Sequence, residues 1–167
     1  MYSEATWIEW ENLGPIDLAE DLAENNDWEF DRVDDDQINF VVAGQWRHYA
    51  VSLVMSHADG TLRLLCSFDL NPPKIRHAAL RELICLANDR CWTGSFSHCP
   101  GLSAIVFRYG LLLCEGAMAT MEQVDAIVTR SVATCERYYP AFQLTCRAGK
   151  SPDEALELAI TDVSGCA

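Results

Sequence analysis

Cysteine and histidine are the residues of this chain that could most directly bind a metal or act as nucleophiles. The chain has eight cysteines and four histidines, and they are densest at Cys91, His98 and Cys99. Structural zinc needs two close pairs such as Cys-x-x-Cys, and this cluster lacks both that spacing and a second pair. His98 and Cys99 are neighbours, so in a strand they would point to opposite faces and could not form a nucleophile and its base. We therefore predict no metal, no cofactor and no thiol catalysis, and keep a redox or metal sensor as an alternative that thiol counting would test.

The other motifs that carry chemistry are missing from the sequence. The nine glycines are scattered singly, so no glycine-rich phosphate loop is present. There is no Gly-x-Ser-x-Gly elbow and no His-Glu-x-x-His helix. Paired carboxylates recur throughout the acidic segment, so no single pair stands out as a general acid and base. The sequence predicts a protein that is not an enzyme.

The negative charge of the chain is concentrated at one end. The net charge is −13 over 167 residues, and residues 1–36 contain 13 of the 25 carboxylates with one base, Arg32, a local charge of 1 − 13 = −12. Nucleic acids and anionic membranes attract clustered Lys and Arg, so neither is expected as a partner. The acidic segment is either a solvated face or a docking surface for a basic partner. Its candidate binding residues are Asp17, Glu20, Asp21 and Glu24.

Large aromatic residues are the second group of candidate binding residues. Trp46, Trp92 and Phe96 fall at element boundaries, where large rings usually seal the end of a core. We predict this sealing role, and the alternative is a binding pocket near Trp46, Trp92 and Arg108 for a small ligand or substrate. Trp7 and Trp10 lie in residues 1–13, an apolar cluster among glutamates that could be a docking arm or a frayed end.

Hydrophobic periodicity places these candidates on a helix followed by four strands. Pro15 and the spacing of Ile16, Ala19 and Leu22 predict a helix over about residues 15–25. Alternating apolar residues then predict two hairpins, one turning at residues 34–36 and one at residues 58–60. Four consecutive antiparallel strands would form a meander.

The second half of the chain alternates helices with one strand pair. Asn71, as a cap, and Pro72 predict the start of a long helix with Ile75 on its buried side. Residues 95–98 and 104–113 predict two strands. Thr120 with Gln123 forms a capping box for the next helix, which we expect to stop at Pro140, and residues 151–154 start a last helix. Most cysteines, including Cys66, Cys85, Cys114 and Cys135, fall at positions predicted to be buried.

The element order predicts an α+β fold in which helices cover one face of an antiparallel sheet of five or six strands. We divide the chain into an N-terminal arm, residues 1–13, and one domain, residues 14–167. Membrane spans need about 20 consecutive apolar residues, and none is present. The first residues lack the positive charge of a secretory signal, so we expect a cytoplasmic protein.

Several segments, taken in order, resemble the YbjN family of bacterial proteins from about Leu13 onward. The most specific is Cys-Glu-Arg-Tyr-Tyr-Pro-Ala-Phe-Gln at residues 135–143. The chain departs from the family pattern at Cys91, where leucine is usual, and at Cys146, where tryptophan is expected. The other matching segments are residues 26–32, 44–46, 68–73, 82–83, 88–96, 107–113 and 149–152.

This resemblance implies a regulatory role without catalysis. Proteins of the YbjN family are described as sensory-transduction regulators tied to stress response and motility. Their fold is similar to that of type III secretion chaperones, which are acidic homodimers that hold partner polypeptides. The resemblance carries over no catalytic residue. It implies a chaperone-like or regulatory protein-binding module, a homodimer with protein partners.

Overall fold

A computed structural model describes residues 13–114 and 117–164, with side chains up to residue 161. Within these ranges lie four α-helices, six strands and two short 3₁₀ turns, at Lys74–Arg76 and Pro100–Leu102. The helices and strands are, in chain order, α1 (Pro15–Asn25), β1 (Phe30–Asp34), β2 (Gln37–Ala43), β3 (His48–Ser56), β4 (Thr61–Asp69), α2 (His77–Asn88), β5 (Ser95–Cys99), β6 (Ala104–Leu112), α3 (Met121–Cys146) and α4 (Pro152–Ser164).

The six strands form one antiparallel sheet with the order β1-β2-β3-β4-β6-β5. Strands β1 to β4 are the predicted meander, and β6 pairs with β4 from Thr61 opposite Leu112 to Asp69 opposite Ala104. Strand β5 pairs with β6 and lies at the edge. The α+β fold class and the antiparallel sheet are therefore confirmed.

All four described helices cover the same face of the sheet. Helix α1 packs over β1 to β3, α3 packs over β4 and β6, α2 lies against β5, and α4 covers α2 and α3. The strands alternate accordingly, because Val51, Leu53 and Leu64 are buried in one core while Ala50, Ser52 and Leu65 face away from it. The second face of the sheet carries no described helix, and we call it the helix-free face.

Helix α1 and the starts of α3 and α4 are confirmed. Helix α1 covers residues 15–25 as predicted. Thr120 accepts a hydrogen bond from the backbone N–H of Gln123, and the Gln123 side chain accepts one from the N–H of Thr120. At α4, the backbone N–H of Glu154 donates to Ser151 Oγ at 3.3 Å. Local capping chemistry sets all three starts.

The predicted start of α2 is wrong. Pro73 is extended, a 3₁₀ turn follows, and the α-helix begins at His77. Proline biases the residue before it away from helical geometry, so Pro73 disfavours a helical conformation at Pro72. Ile75, expected on the buried side of a helix, lies in the 3₁₀ turn and is 86% exposed.

The predicted stop at Pro140 is also wrong, since α3 continues through it to Cys146. A proline inside a helix removes one hydrogen bond and clashes with the carbonyl four residues earlier, here that of Glu136. The helix continues because the residues after the proline are buried in the core, where packing offsets this cost. These residues are Ala141, Phe142, Thr145 and Cys146.

Candidate binding groove on the helix-free sheet face

Two of the four acidic candidates on α1 make ion pairs within the chain. The Arg32 guanidinium binds Asp17 Oδ1 at 2.8 Å and Glu20 Oε2 at 2.5 Å. Burial opposes ionisation of Asp17, but hydrogen bonds from Arg32 and from the backbone N–H of Gly14 hold its pKa below the usual value. These two carboxylates therefore fasten α1 to β1.

The other two acidic candidates make no ion pair with any residue the structure describes. Asp21 is half-buried and Glu24 is exposed at the end of α1. The structure thus separates the four carboxylates into an anchored pair and a free pair. The N-terminal candidates Trp7 and Trp10 lie outside the described residues.

The predicted sealing role is wrong for Trp46 and Trp92 and holds only for Phe96, which is 2% exposed. Trp46 is 54% exposed in the β2–β3 loop, where Glu136 accepts hydrogen bonds from the backbone N–H groups of Gln45 and Trp46. This contact fixes the loop backbone and leaves the indole in solvent.

Trp92 is 98% exposed and borders a small polar cleft beside α3. The cleft has a volume of about 150 Å³. Arg90 and Arg137 line it, and neither forms an ion pair with a carboxylate of the described chain. Trp46 and Arg108 do not line this cleft, so the structure does not combine the three residues of the expected pocket into one site.

Arg108 lies instead on the helix-free face of the sheet. Strand β6 places Phe107 in the core and Arg108 on the opposite side, in the same cross-strand row as Leu65 and Ser52. Arg63 lies two residues before Leu65 on β4 and faces the same way. Two arginines therefore stand on the β4–β6 side of this face.

The same face contains a groove of about 400 Å³ centred on β3. Its floor consists of small side chains, Ala50, Ser52 and Ser67. Taller side chains rise on both sides of this floor, and the lining is mainly apolar. On the β2 side they are Asn39 and Val41, and on the other side they are Leu65, Leu102 and Val106.

The charged residues of the lining are acidic and lie on the β1 side, where they are Glu29 and Asp31. Arg108 lies outside the lining, two residues beyond the lining residue Val106 on β6, in the same cross-strand row as Asp31. Both carboxylates are exposed, and the described lining contains no histidine, cysteine or lysine. This arrangement suits recognition of shape and charge better than acid–base chemistry.

Sequence reasoning missed the groove. The available signal was the small size of the outward-facing residues of β3, Ala50 and Ser52, where an exposed strand usually carries long polar side chains. These small residues form the floor of a groove only because β6 pairs with β4, which places Val106 and Leu102 beside them.

Two of the buried cysteines, Cys66 and Cys135, are neighbours in the core. Burial, together with the neighbouring Cys66, raises the pKa of the Cys135 thiol, which disfavours its reactive thiolate. Cys85 and Cys114 are exposed, contrary to expectation. Within the described ranges, no three His, Cys, Asp or Glu side chains are grouped so as to hold a metal ion.

A six-stranded antiparallel sheet with helices on one face defines an α+β protein, and no helix of the described ranges covers the second face. The chain belongs to the YbjN family, whose profile matches residues 15–144 and whose description is "Putative bacterial sensory transduction regulator". In the part of the chain that the structure describes, no helix combines the length and apolarity needed to span a bilayer.

Among solved structures, the chain is similar to a protein described as "Crystal structure of YbjN, a putative transcription regulator from E. coli". The two share 11% sequence identity, the match covers 90% of this chain and 91% of that one, and the TM-score is 0.49. No curated protein matches the sequence.

Proposed function

We propose that this YbjN-family chain is a non-enzymatic regulatory protein that binds a short segment of a partner polypeptide in the groove. The observation that carries the proposal is the apolar groove of about 400 Å³ on the helix-free face. Its volume is within the ~300–1,000 Å³ typical of ligand sites, and its open shape suits a linear segment. The lining offers no arrangement of nucleophile and base.

The lining also indicates the chemistry of the partner segment. Large apolar side chains would fill the floor over Ala50 and Ser52, because burying apolar area drives association. A basic residue would lie near Asp31 and an acidic residue near Arg108, which would set the direction of the bound segment. We therefore expect an amphipathic segment with aromatic or branched side chains and opposite charges at its ends.

The wider setting rests on family resemblance. We propose a chaperone-like homodimer that acts in stress-response or motility signalling, with a dimer surface other than the groove. Light scattering of the purified protein tests the dimer. We place the chain in the cytoplasm, where unpaired thiols such as the seven described cysteines are kept reduced.

A photo-crosslinking residue tests groove binding in the native host. At Leu65, a groove residue that is 38% exposed, it should capture a recurrent protein. At Leu158, which is 43% exposed on α4, it should not. The captured protein is then purified and its dissociation constant measured. Equal capture from both positions, or binding that groove substitutions leave unchanged, would count against the proposal.

A second candidate function is sensing of a small anion in the Trp92 cleft. Arg90 and Arg137 both face this cleft without a carboxylate partner in the described chain, and guanidinium groups bind phosphate and carboxylate well. Calorimetric titration with inorganic phosphate should show binding that the substitution Arg137→Gln removes and Arg147→Gln retains. Absence of heat with the wild-type protein would dismiss this candidate.

A further inference from the structure

The groove lies within reach of residues 1–12, which precede the described chain. Helix α1 starts at Pro15, and its first turn is fixed to Arg32 on β1 through Asp17. Strand β1 is an edge strand of the sheet, and Asp31, next to Arg32, lines the groove on the other face. The chain before Leu13 therefore has to pass only the edge of β1 to reach the groove.

The length of this segment is sufficient. An extended chain covers about 3.3 Å per residue, so twelve residues span at most about 40 Å. Rounding the sheet edge takes about 10 Å, and crossing from β1 to β4 takes about 14 Å at ~4.8 Å per strand. Residues 1–12 can thus pass along the whole groove.

The composition of the segment also fits the groove. It contains Trp7, Ile8 and Trp10, and tryptophans bury about 150–250 Å² each. Its acidic residues are Glu4, Glu9 and Glu11, with no base, so it offers no cation to Glu29 and Asp31 and would dock through its apolar residues. Glu4 is the acidic residue farthest from Leu13, so it would reach the side of the groove where Arg108 stands, whereas Arg63 on that side is paired with Asp59 at 2.6 Å.

A second copy of the chain is a poorer occupant of the same face. Two identical faces packed together would place one floor of small residues over the other, so that neither groove is filled. Close packing is required for a stable interface, and a linear segment with large side chains provides it here.

We propose that residues 1–12 dock in the groove of their own chain, with Trp7 over Ala50 and Ser52 on β3. Trp10, only three residues or about 10 Å from Leu13, would lie nearer β1 at the same groove. The segment then acts as an internal competitor that a partner must displace. The competition rests on the proposed function, but the docking does not. Docking of this segment would multiply the apparent association constant for the partner by the fraction of chains in which the groove is empty.

Fluorine NMR of the full chain labelled with 5-fluorotryptophan tests the docking directly. The five tryptophans give five signals, and substitutions Trp7→Phe and Trp10→Phe assign the two that matter. Trp92, 98% exposed, serves as the solvent-exposed reference for the H₂O-to-D₂O shift. We expect the Trp7 and Trp10 signals to be protected in the wild-type protein.

Ser52→Arg fills the groove floor and should give both signals the solvent shift of Trp92. Leu158→Arg, at a 43% exposed position on α4 away from this face, should leave them protected. Should Ser52→Arg fail to fold, Val41→Lys at a 39% exposed position gives the same readout. Signals that are already exposed in the wild-type protein, or that Ser52→Arg leaves unchanged, would overturn the proposal.

If the protection of Trp7 and Trp10 falls on dilution as the dimer dissociates, the segment docks on a second copy, and the proposal of docking within one chain is overturned.

No partner is present in this experiment. A failed partner assay with protected tryptophans would reject only the proposed function, whereas exposed tryptophans with a groove-dependent partner would reject only the internal docking.

Discussion

The Glu136 carboxylate accepts a hydrogen bond from the backbone N–H of Gln45 at 2.9 Å, across 91 positions of sequence. It also accepts one from the N–H of Trp46 at 3.3 Å. A single side chain of α3 thus holds the β2–β3 loop and positions the exposed Trp46. Gly44 makes room for it, since a Cβ there would lie 2.3 Å from Glu136 Oε1.

Replacing Glu136 with alanine should therefore destabilise the fold. The variant loses two hydrogen bonds to a charged acceptor, and we expect the free energy of unfolding to fall by about 1–3 kcal/mol. Urea denaturation measures this change. Glu157→Ala, at an exposed position of α4, is the control and should stay within ~0.5 kcal/mol of wild type. Equal stability of the two variants would refute the role of Glu136.

Asn88 should hold the edge strand β5 in place, and its loss should lower the free energy of unfolding about as much as the loss of Glu136 does. Its side chain donates to the carbonyl of Phe96 at 3.0 Å and accepts from the N–H of Phe96 at 2.7 Å. Asn88→Ala leaves both backbone groups without this partner, so we expect a loss of about 1–3 kcal/mol in unfolding free energy. Asp89→Ala, one residue further and exposed, should have little effect. A wild-type melting temperature for Asn88→Ala would contradict this expectation.

Two glycines should respond differently to the same substitution. A Cβ at Gly94 would lie 2.5 Å from the carbonyl oxygen of Arg108 and 2.5 Å from Phe107 Cζ, whereas one at Gly101 meets nothing within 4 Å. Gly94→Ala should cost about 1–3 kcal/mol through overpacking. Gly101→Ala should be neutral or slightly stabilising in thermal unfolding. Comparable effects at both positions would show that the close approach at Gly94 is absent in solution.

His98 should make stability depend on pH near neutrality. Burial and the ring of His77, 5.8 Å away, lower the pKa of His98 from its ordinary value of 6.5. As pH falls below that value, the unfolded chain takes up the proton before the folded one does. Stability is thus present above about pH 6.5 and is lost as pH falls toward the folded-state pKa.

Denaturation of His98→Gln at pH 7.5, 6.5 and 5.5 checks this dependence. The variant should show a flatter decline of unfolding free energy than wild type over this range. His48→Gln, at an exposed position, provides a comparison. An unchanged slope in His98→Gln would mean that another group causes the decline.

The fold could be predicted wherever one local pattern decided the structure. Alternation of apolar residues in β2, β3 and β4 defined both hairpins, and the Thr120 cap defined the start of α3. Prediction failed where tertiary packing prevailed over local preference. Burial of Phe142 carries α3 through Pro140, and the fully exposed Trp92 lies where a sealing residue was expected.

The candidate site was much less predictable than the fold. Arg108 was selected from the sequence, but for a pocket with Trp46 and Trp92 that the structure does not assemble. The groove depends on β6 lying beside β4, a pairing between distant segments that no local pattern of residues 41–67 contains. Small outward-facing residues such as Ala50 can form the floor of a groove only once that pairing has placed β6 beside β4.

The affinity of the crosslinked partner for purified wild-type, Ser52→Arg and Leu158→Arg proteins tests the central claim most directly. We predict that Ser52→Arg weakens binding at least about tenfold, equivalent to ~1.4 kcal/mol, while Leu158→Arg, exposed on α4, stays within about twofold. Wild-type affinity in Ser52→Arg, with its fold verified by circular dichroism, would contradict groove binding.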